Sequence, residues 1–126
     1  MAKVTVFGTD YPTRDGSCIR DYVHVSDIAS AHVKALARAG SGRGGVEVFN
    51  LGTGQGVSVL EAIAAFEEVS GMRLPHELGP RRAGDVEAIW SDTALSAREL
   101  GWTAQRDLRT MMGSAWKWEQ NLATGK

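Results

Sequence analysis

The stretch VEVFNLGTGQGVSVLEAIAAF, residues 46–66, has the pattern of a strand, a glycine turn and a helix. Residues 46–51 include the β-branched Val46 and Val48 and the aromatic Phe49, which predicts a largely buried strand. Ser58 and Glu61 have the spacing of a capping box, in which each side chain bonds a free amide at the start of a helix. The apolar residues that follow share one helical face: Val59, Ile63 and Phe66. Strand, turn and helix in this order predict an α/β fold.

The turn itself, residues 52–57, partly matches a dinucleotide-binding turn. That turn requires G-x-G-x-x-G, whose third glycine lets the helix pack closely on the strand. Val57 occupies the third position, and the motif lies in mid-chain rather than in an N-terminal βαβ unit. We therefore expect a tight strand-to-helix connection here and no cofactor-binding residues.

The flanking sequence predicts short elements. Residues 3–7 alternate as in a strand, residues 8–18 have loop composition, and residues 19–25 suggest a short strand. Ser26 is predicted to cap a helix that ends at the glycine-rich residues 40–45. Its apolar face is Ile28, Ala31, Ala35 and Leu36.

The remaining boundaries are a helix end at Gly71, a strand around residues 73–77, a polar loop over 79–87, a short helix between Asp92 and Gly101, and a last helix from near Asp107. The four tryptophans between residues 90 and 118 are expected to be packing residues. Strands so few and short would leave sheet edges that need covering. This is a first indication that a partner segment completes the sheet.

Composition excludes several classes of function. A length of 126 residues suits one small domain, and a net charge of −1 gives no field that attracts nucleic acid or a membrane surface. No apolar run approaches the roughly 20 residues that span a bilayer, and no signal peptide is recognisable. Cys18 is the only cysteine, so no internal disulfide forms and a cytoplasmic location fits. The three histidines are scattered and have no cysteine nearby, so no metal site is expected.

Five motifs together resemble a known family. They are FGTDYPTRDG (residues 7–16), RDYVHVSD (20–27), NLGTG (50–54), PRRAGD (80–85) and ELGW (99–102). In this order and spacing they resemble the C-terminal third of UDP-glucose 4-epimerases, which belong to the extended short-chain dehydrogenase/reductase superfamily. The resemblance covers residues 6–121. It implies an α/β fold of the extended Rossmann type, of which this chain would be an incomplete, C-terminal part.

The resemblance implies a nucleotide-sugar site. Arg20 and Arg82 match the family's diphosphate-binding arginines, because a guanidinium fork suits phosphate oxygens. Asp85 matches a carboxylate that accepts hydrogen bonds from the ribose hydroxyls. For Arg20 the alternative is an ion pair with a neighbouring aspartate, Asp15 or Asp21.

The same resemblance places Phe7, Tyr22 and Val59 along the uridine pocket, although Phe7 and Val59 also suit a protein core. Ile89 stands where a large residue narrows the family's sugar pocket and a small one admits N-acetyl groups, so acceptance of N-acetylhexosamines stays open. Arg81 is expected to be solvated.

The resemblance also implies a reaction that this chain lacks the residues to perform. Family members invert C4 of the hexose with bound NAD, a tyrosine–lysine pair, and a serine or threonine. Neither Tyr11 nor Tyr22 has a lysine four residues later, and the family's glycine-rich NAD turn is missing. We therefore expect no catalytic residues, no binding of NAD by this chain alone and no epimerase activity.

Residues 1–126 are accordingly expected to form a single C-terminal segment that binds a UDP-sugar, UDP-glucose or UDP-galactose, without the NAD-binding N-terminal half. Surfaces made to meet that half would be exposed, so we expect the chain to associate with itself or with an N-terminal partner. Three alternatives remain: a non-catalytic UDP-sugar-binding module, a dimerising structural remnant, and a chain that complements a separately encoded NAD-binding half.

Overall fold

The structure is a computed structural model that describes residues 3–42 and 44–125, and it is an α/β arrangement of short strands and four helices. The elements in chain order are β1 (Val4–Phe7), β2 (Ile19–Arg20), α1 (Val25–Ala39), β3 (Val57–Ser58), α2 (Val59–Ser70), β4 (His76–Gly79), α3 (Ala94–Leu100) and α4 (Leu108–Ala123). The predicted loop over residues 8–18 contains neither helix nor strand, as expected.

The strands form two separate pairs. β1 runs parallel to β4, with Val4 opposite His76 and Phe7 opposite Gly79. β2 runs antiparallel to β3, with Ile19 opposite Ser58. Each pair is too short to be stable alone, so helix packing and side-chain bonds must supply most of the stability.

Two helices pack on each other over much of their length. α2 starts with the predicted capping box: the Ser58 hydroxyl accepts from the Glu61 amide, and the Glu61 carboxylate accepts from the Ser58 amide. It ends at Gly71, whose φ of 67° is the left-handed conformation that favours glycine. The Phe66 ring meets the edge of Trp116 of α4 at 5.7 Å between ring centroids. The capping box and the glycine end are therefore confirmed.

Helix α1 is fixed by a buried carboxylate and a buried tryptophan. Trp102 is 1% exposed, and its indole N–H donates to the Asp27 carbonyl and to the Ser30 hydroxyl, both at 2.9 Å. The Asp27 carboxylate accepts from the amides of Gln105 and Arg106 and pairs with the Arg106 guanidinium. These contacts attach the segment before α4 to the first turn of α1.

The predicted strand over residues 46–51 is wrong. The structure assigns no strand there, and Val46 and Val48 are 94% and 76% exposed. A strand exists only where its backbone groups meet a partner strand, and none of the described residues pairs with this segment. The side chains of Val46 and Val48 therefore lie at the surface instead of being buried.

Four smaller predictions also need correction. The N-cap of α1 is His24, whose Nδ1 accepts from the Ser26 amide at 3.0 Å, so Ser26 lies inside the helix. The strand placed around residues 73–77 forms at His76–Gly79, where β1 provides a partner. The strand predicted over residues 19–25 forms only at Ile19 and Arg20, because β3 pairs with only these two residues. Leu36, predicted to lie on the apolar face of α1, is 73% exposed.

Two of the four tryptophans are not packed as predicted. Trp102 is buried and Trp116 meets Phe66, but Trp90 and Trp118 are 54% and 62% exposed. Tryptophan side chains that are exposed to this extent leave apolar surface available for contact with another molecule.

We expect Asp27→Asn to lower the free energy of unfolding by about 2 kcal/mol at neutral pH, because the amide nitrogen faces donors that the carboxylate accepted from. Burial alone would raise the pKa of the Asp27 carboxyl, but the bonds from Arg106 and Gln105 outweigh burial and hold the pKa below its ordinary value. This stabilisation is complete above the ordinary pKa and is lost as pH falls through the lower folded-state value.

The difference in melting temperature between the native chain and Asp27→Asn should therefore be largest near neutral pH and narrow below about pH 4. Thermal unfolding followed by circular dichroism measures it. A difference that is independent of pH would contradict this account of Asp27.

Candidate functional site

The main chain of Ile19 joins three distant segments and positions the candidate site. Its amide donates to the Glu87 carbonyl at 2.9 Å, and its carbonyl accepts from the Ile89 amide at 3.1 Å. On its other side β2 pairs with β3, so that Arg20 lies opposite Val57. The loop that holds Arg82 and Asp85 is thereby brought beside Arg20.

Two arginines share one carboxylate at this junction. The Arg82 Nη2 donates to Asp85 Oδ1 at 2.9 Å, and the Arg20 Nη2 lies 3.6 Å from the same oxygen. The Arg82 guanidinium also lies over the Phe7 ring, 5.4 Å from its centroid. Two positive groups and one negative group leave one net positive charge in the cluster of Phe7, Arg20, Arg82 and Asp85.

The electrostatics keep the shared carboxylate ionised. The hydrogen bond from Arg82, assisted by the charge of Arg20, outweighs partial burial and holds the pKa of the Asp85 carboxyl below its ordinary value. Asp85 is 14% exposed at its side chain, whereas Arg82 is 63% exposed. Arg82 is thus the more accessible of the two arginines, since the Arg20 side chain is 28% exposed. Neither Asp15 nor Asp21 is the ion-pair partner of Arg20 among the described residues.

The Arg81 side chain is 49% exposed, which agrees with the prediction that it is solvated, but it also makes contacts that the sequence did not predict. Its Nε donates to Asp10 Oδ1 at 2.8 Å and its Nη2 to the Asp10 carbonyl at 2.7 Å. Its guanidinium also stacks on the Tyr11 ring at 4.2 Å. Arg81 therefore connects the loop after β1 to the loop after β4, directly beside Arg82.

The other predicted positions lie around this cluster at different places. Ile89, which is 57% exposed, lines a concavity of about 350 Å³ together with Arg20. Tyr22 lines a second concavity of about 260 Å³ against residues 104–108. Val59 is the first residue of α2, where its amide donates to the Cys18 carbonyl at 3.1 Å. The structure therefore brings Phe7, Arg20, Arg82 and Asp85 together, with Ile89 adjacent, and leaves Tyr22 and Val59 outside these contacts.

The chemical state of Tyr22 suits a hydrogen-bond donor. Burial raises the pKa of the Tyr22 phenol, and the nearby Arg20 charge offsets only part of that rise. The hydroxyl is therefore protonated at neutral pH.

The glycine turn holds an internal carboxylate, a feature that sequence reasoning missed. Asp21 Oδ1 accepts from the Thr53 amide at 2.9 Å and from the Thr53 hydroxyl at 2.6 Å. Asp21 Oδ2 accepts from the Gly54 amide at 3.2 Å and from the Ser91 amide at 3.1 Å. The sequence carries no signal for this contact, because Asp21 and Thr53 are 32 residues apart.

These bonds decide how well the turn fits a dinucleotide. A dinucleotide-binding turn presents free amides to a pyrophosphate. Here the amides of Thr53 and Gly54 already donate to Asp21, and Val57 occupies the third glycine position. The described residues therefore do not fit NAD at this turn.

The described residues lack a metal-binding cluster and a membrane-spanning helix. No group of three or more His, Cys, Asp or Glu side chains within residues 3–42 and 44–125 could hold a metal ion. Of the helices described, none combines the length and the apolar composition that crossing a bilayer requires.

Comparison with known proteins gives the class of the chain. The sequence profile of the NAD-dependent epimerase/dehydratase family matches residues 2–52. The chain is 46% identical over 125 residues to UDP-glucose 4-epimerase of Bacillus subtilis, covering 99% of this chain and 37% of that protein.

Solved structures agree with the sequence comparison. The UDP-glucose 4-epimerase of Stenotrophomonas maltophila, with bound NAD and formylated UDP-arabinopyranose, superposes with a TM-score of 0.94 at 48% identity, over 100% of this chain and 37% of that one. The Bifidobacterium longum enzyme, in complex with NAD+ and UDP, gives a TM-score of 0.92 at 40% identity over the same shares.

The chain is therefore homologous over its whole length to UDP-glucose 4-epimerases, and it spans 37% of the length of the relatives named above. Its fold is correspondingly a part of their Rossmann-like α/β fold.

Gly52 leaves no room for a side chain beside Asp21, because a Cβ would lie 2.3 Å from Asp21 Oδ2 and 2.6 Å from the Ser91 Cβ. We expect Gly52→Ala to destabilise the chain by about 1–3 kcal/mol. Gly113→Ala is the control: a Cβ there meets nothing within 4 Å on helix α4, so alanine should stabilise by up to about 1 kcal/mol. Urea unfolding measures both, and equal stabilities for the two variants would contradict the proposed packing at Asp21.

Proposed function

We propose that this chain is the C-terminal, UDP-sugar-binding part of a UDP-glucose 4-epimerase, the enzyme of galactose metabolism that interconverts UDP-glucose and UDP-galactose. The observation that carries the proposal is the meeting of Arg20 and Arg82 at one carboxylate, Asp85, beside the Phe7 ring. The similarity to epimerases over the whole chain supports it, as does the UDP held by the Bifidobacterium longum enzyme.

The cluster has the properties that a nucleotide diphosphate requires. Guanidinium groups bind phosphate oxygens through pairs of charge-assisted hydrogen bonds. The Arg82 side chain is mostly exposed, and its Nη2 is held by Asp85. The guanidinium N–H groups that do not bond Asp85 can donate to a ligand. Asp85 itself has one oxygen that is not bonded to either arginine, which can accept from a ribose hydroxyl.

The nucleoside and the hexose would use different parts of the surface. Phe7 is 40% exposed and offers an apolar face, and with Tyr22 and Val59 it would line the uridine side. Ile89, in the concavity with Arg20, would face the sugar. Tight binding of UDP together with few contacts to the hexose anchors the substrate without preventing rotation of the sugar, which inversion at C4 requires.

The reaction itself would need the rest of the enzyme. The relatives are almost three times as long as this chain, and the solved structures named above hold NAD. The glycine turn of this chain has its amides engaged by Asp21, and neither tyrosine precedes a lysine by four residues. We therefore propose that the chain alone neither binds NAD nor converts UDP-galactose.

A second candidate is a UDP-sugar-binding module that does no chemistry. The arginine–aspartate cluster is complete within this chain, whereas the tyrosine–lysine pair is missing, and this combination fits binding without catalysis. Adding a separately expressed N-terminal epimerase half distinguishes the two: restored turnover supports the epimerase part, and UDP-sugar binding without turnover supports the module. For either function we propose a cytoplasmic location, which suits the single buried thiol of Cys18.

Removing the Arg82 guanidinium should weaken UDP binding by about tenfold or more, because the phosphate loses charge-assisted hydrogen bonds. Calorimetric titration of the chain and of Arg82→Ala with UDP measures the loss. Arg98→Ala is the control, since Arg98 is equally exposed and pairs only with its neighbour Glu99 in α3 among the bonds described for it. Native affinity in Arg82→Ala, or no binding by the native chain, would contradict the proposed function.

The exposed apolar residues point to a covered surface in the complete protein. Val25, Val33 and Leu36 of α1 and Val46 and Val48 of the unpaired segment are each at least 67% exposed. A small protein in isolation rarely leaves this much aliphatic surface in water. We propose that the remaining part of the longer polypeptide packs on it, and that without this part the chain associates with itself.

Light scattering should therefore give a mass above that of a monomer at high micromolar concentration, and Val48→Asp should shift it toward the monomer. Charge in the middle of an apolar contact costs desolvation that the free chain does not incur. Met72→Asp, at a residue that is 41% exposed in the turn after α2, is the control and should leave the mass unchanged. A monomeric native chain would contradict self-association.

A further inference from the structure

The concavity that contains Arg20 has two walls that are distant in sequence. One wall is formed by Arg20 and Asp21, and the other by residues 89–92. Asn50 also lines the concavity. The backbone of Ile19 bonds both Glu87 and Ile89, so the walls are already joined at one end. Asp21 joins them again further along, through the Ser91 amide at 3.1 Å.

Asp21 also holds the concavity to the glycine turn. Its two oxygens accept four hydrogen bonds: three come from Thr53 and Gly54, and the fourth comes from Ser91. The Ser91 hydroxyl donates to the Leu51 carbonyl at 3.2 Å, which closes the triangle between the three segments. Gly52 permits this approach because a Cβ there would collide with the carboxylate.

Only a carboxylate satisfies this arrangement. All four partners are donors, and an ionised carboxylate is an acceptor at both oxygens. Asparagine has one oxygen, so its amide group would face the N–H of Thr53 or those of Gly54 and Ser91. Burial by itself raises the pKa of the Asp21 carboxyl, but the bonds from Thr53, Ser91 and Gly54 outweigh burial and keep the carboxyl ionised.

We propose that Asp21 is a positioning residue for nucleotide-sugar binding, which sets the place of Arg20 relative to Ile89 by tying their two walls to the glycine turn. The proposal rests on the proposed function and adds a specific role to it. Asp21 touches no ligand in this role; it holds the backbone on which the phosphate-binding Arg20 stands. The part of the ligand affected by its loss is therefore the diphosphate.

This role predicts a change in the ratio of two affinities. In Asp21→Asn the affinity for UDP should fall by about tenfold, while the affinity for uridine, which has no phosphate, should change by less than about twofold. A merely structural role, in which a fraction of the molecules unfolds, would lower both affinities by the same factor. NMR titrations of the chain with UDP and with uridine give both values under one condition.

Asp27→Asn is the matched control, because Asp27, like Asp21, accepts from backbone amides of a distant segment. Neither Asp27 nor Gln105 and Arg106, which donate to it, line this concavity. This variant should lower stability and leave the ratio of UDP to uridine affinity unchanged. Asp21→Ala should lose UDP affinity as well, and formate should restore it by occupying the vacated donors. Formate should have no effect on Asp21→Asn, which still fills the space.

The proposal is overturned if Asp21→Asn leaves the ratio of UDP to uridine affinity unchanged, whether both affinities stay native or both fall equally. A change of this ratio in Asp27→Asn that is as large as in Asp21→Asn would also overturn it. If Asp21→Asn does not fold, Thr53→Val removes one donor to Asp21 and should lower the same ratio by a smaller factor, and an unchanged ratio there counts against the proposal equally. A native chain that binds neither ligand rejects the proposed function, whereas a native chain that binds UDP with an insensitive ratio rejects only the role of Asp21.

Discussion

The two hydrogen bonds of the Ile19 main chain are the constraint on which the candidate site depends. They hold residues 87–89 against β2, while β3 pairs on the opposite side, so three segments meet at one buried residue that is 8% exposed. Arg20, Asp85 and Ile89 each lie within two residues of this junction. Backbone pairing therefore fixes one end of their arrangement, and the side-chain bonds of Asp21 complete it.

Aspartate carboxylates join segments that such short sheets leave unpaired. Asp15 bonds Ser17 and Ser58, Asp21 bonds the glycine turn and Ser91, and Asp27 bonds residues 105 and 106. In each case one acidic side chain satisfies donors from a segment far away in sequence, with charge-assisted bonds that are stronger than neutral ones. The fold consequently depends on these groups staying ionised, and all three have pKa values held below the ordinary range by their donors despite the opposing effect of burial.

Local features of this fold could be predicted from sequence, and contacts between distant segments could not. The capping box at Ser58, the helix ends at Gly71 and Gly101, and the start of α4 at Asp107 are confirmed, because each depends on neighbours within a few residues. The strand over residues 46–51 is wrong because none of the described residues pairs with it. The bonds from Arg81 to Asp10 were not predicted because the two residues are 71 positions apart. Arg20, Arg82 and Asp85 were predicted from their match to family motifs. Their contacts with one another could not be predicted from sequence, because Arg20 is 62 residues away from Arg82.

We propose that a nucleotide-binding surface is retained in this chain, which spans 37% of the length of its relatives. An amide NMR titration with UDP tests this most directly, because it reports folding and the location of binding in one experiment. We predict dispersed resonances with shifts concentrated at Phe7, Arg20, Arg82 and Asp85. Dispersed resonances that do not move, or shifts confined to other parts of the chain, would contradict it.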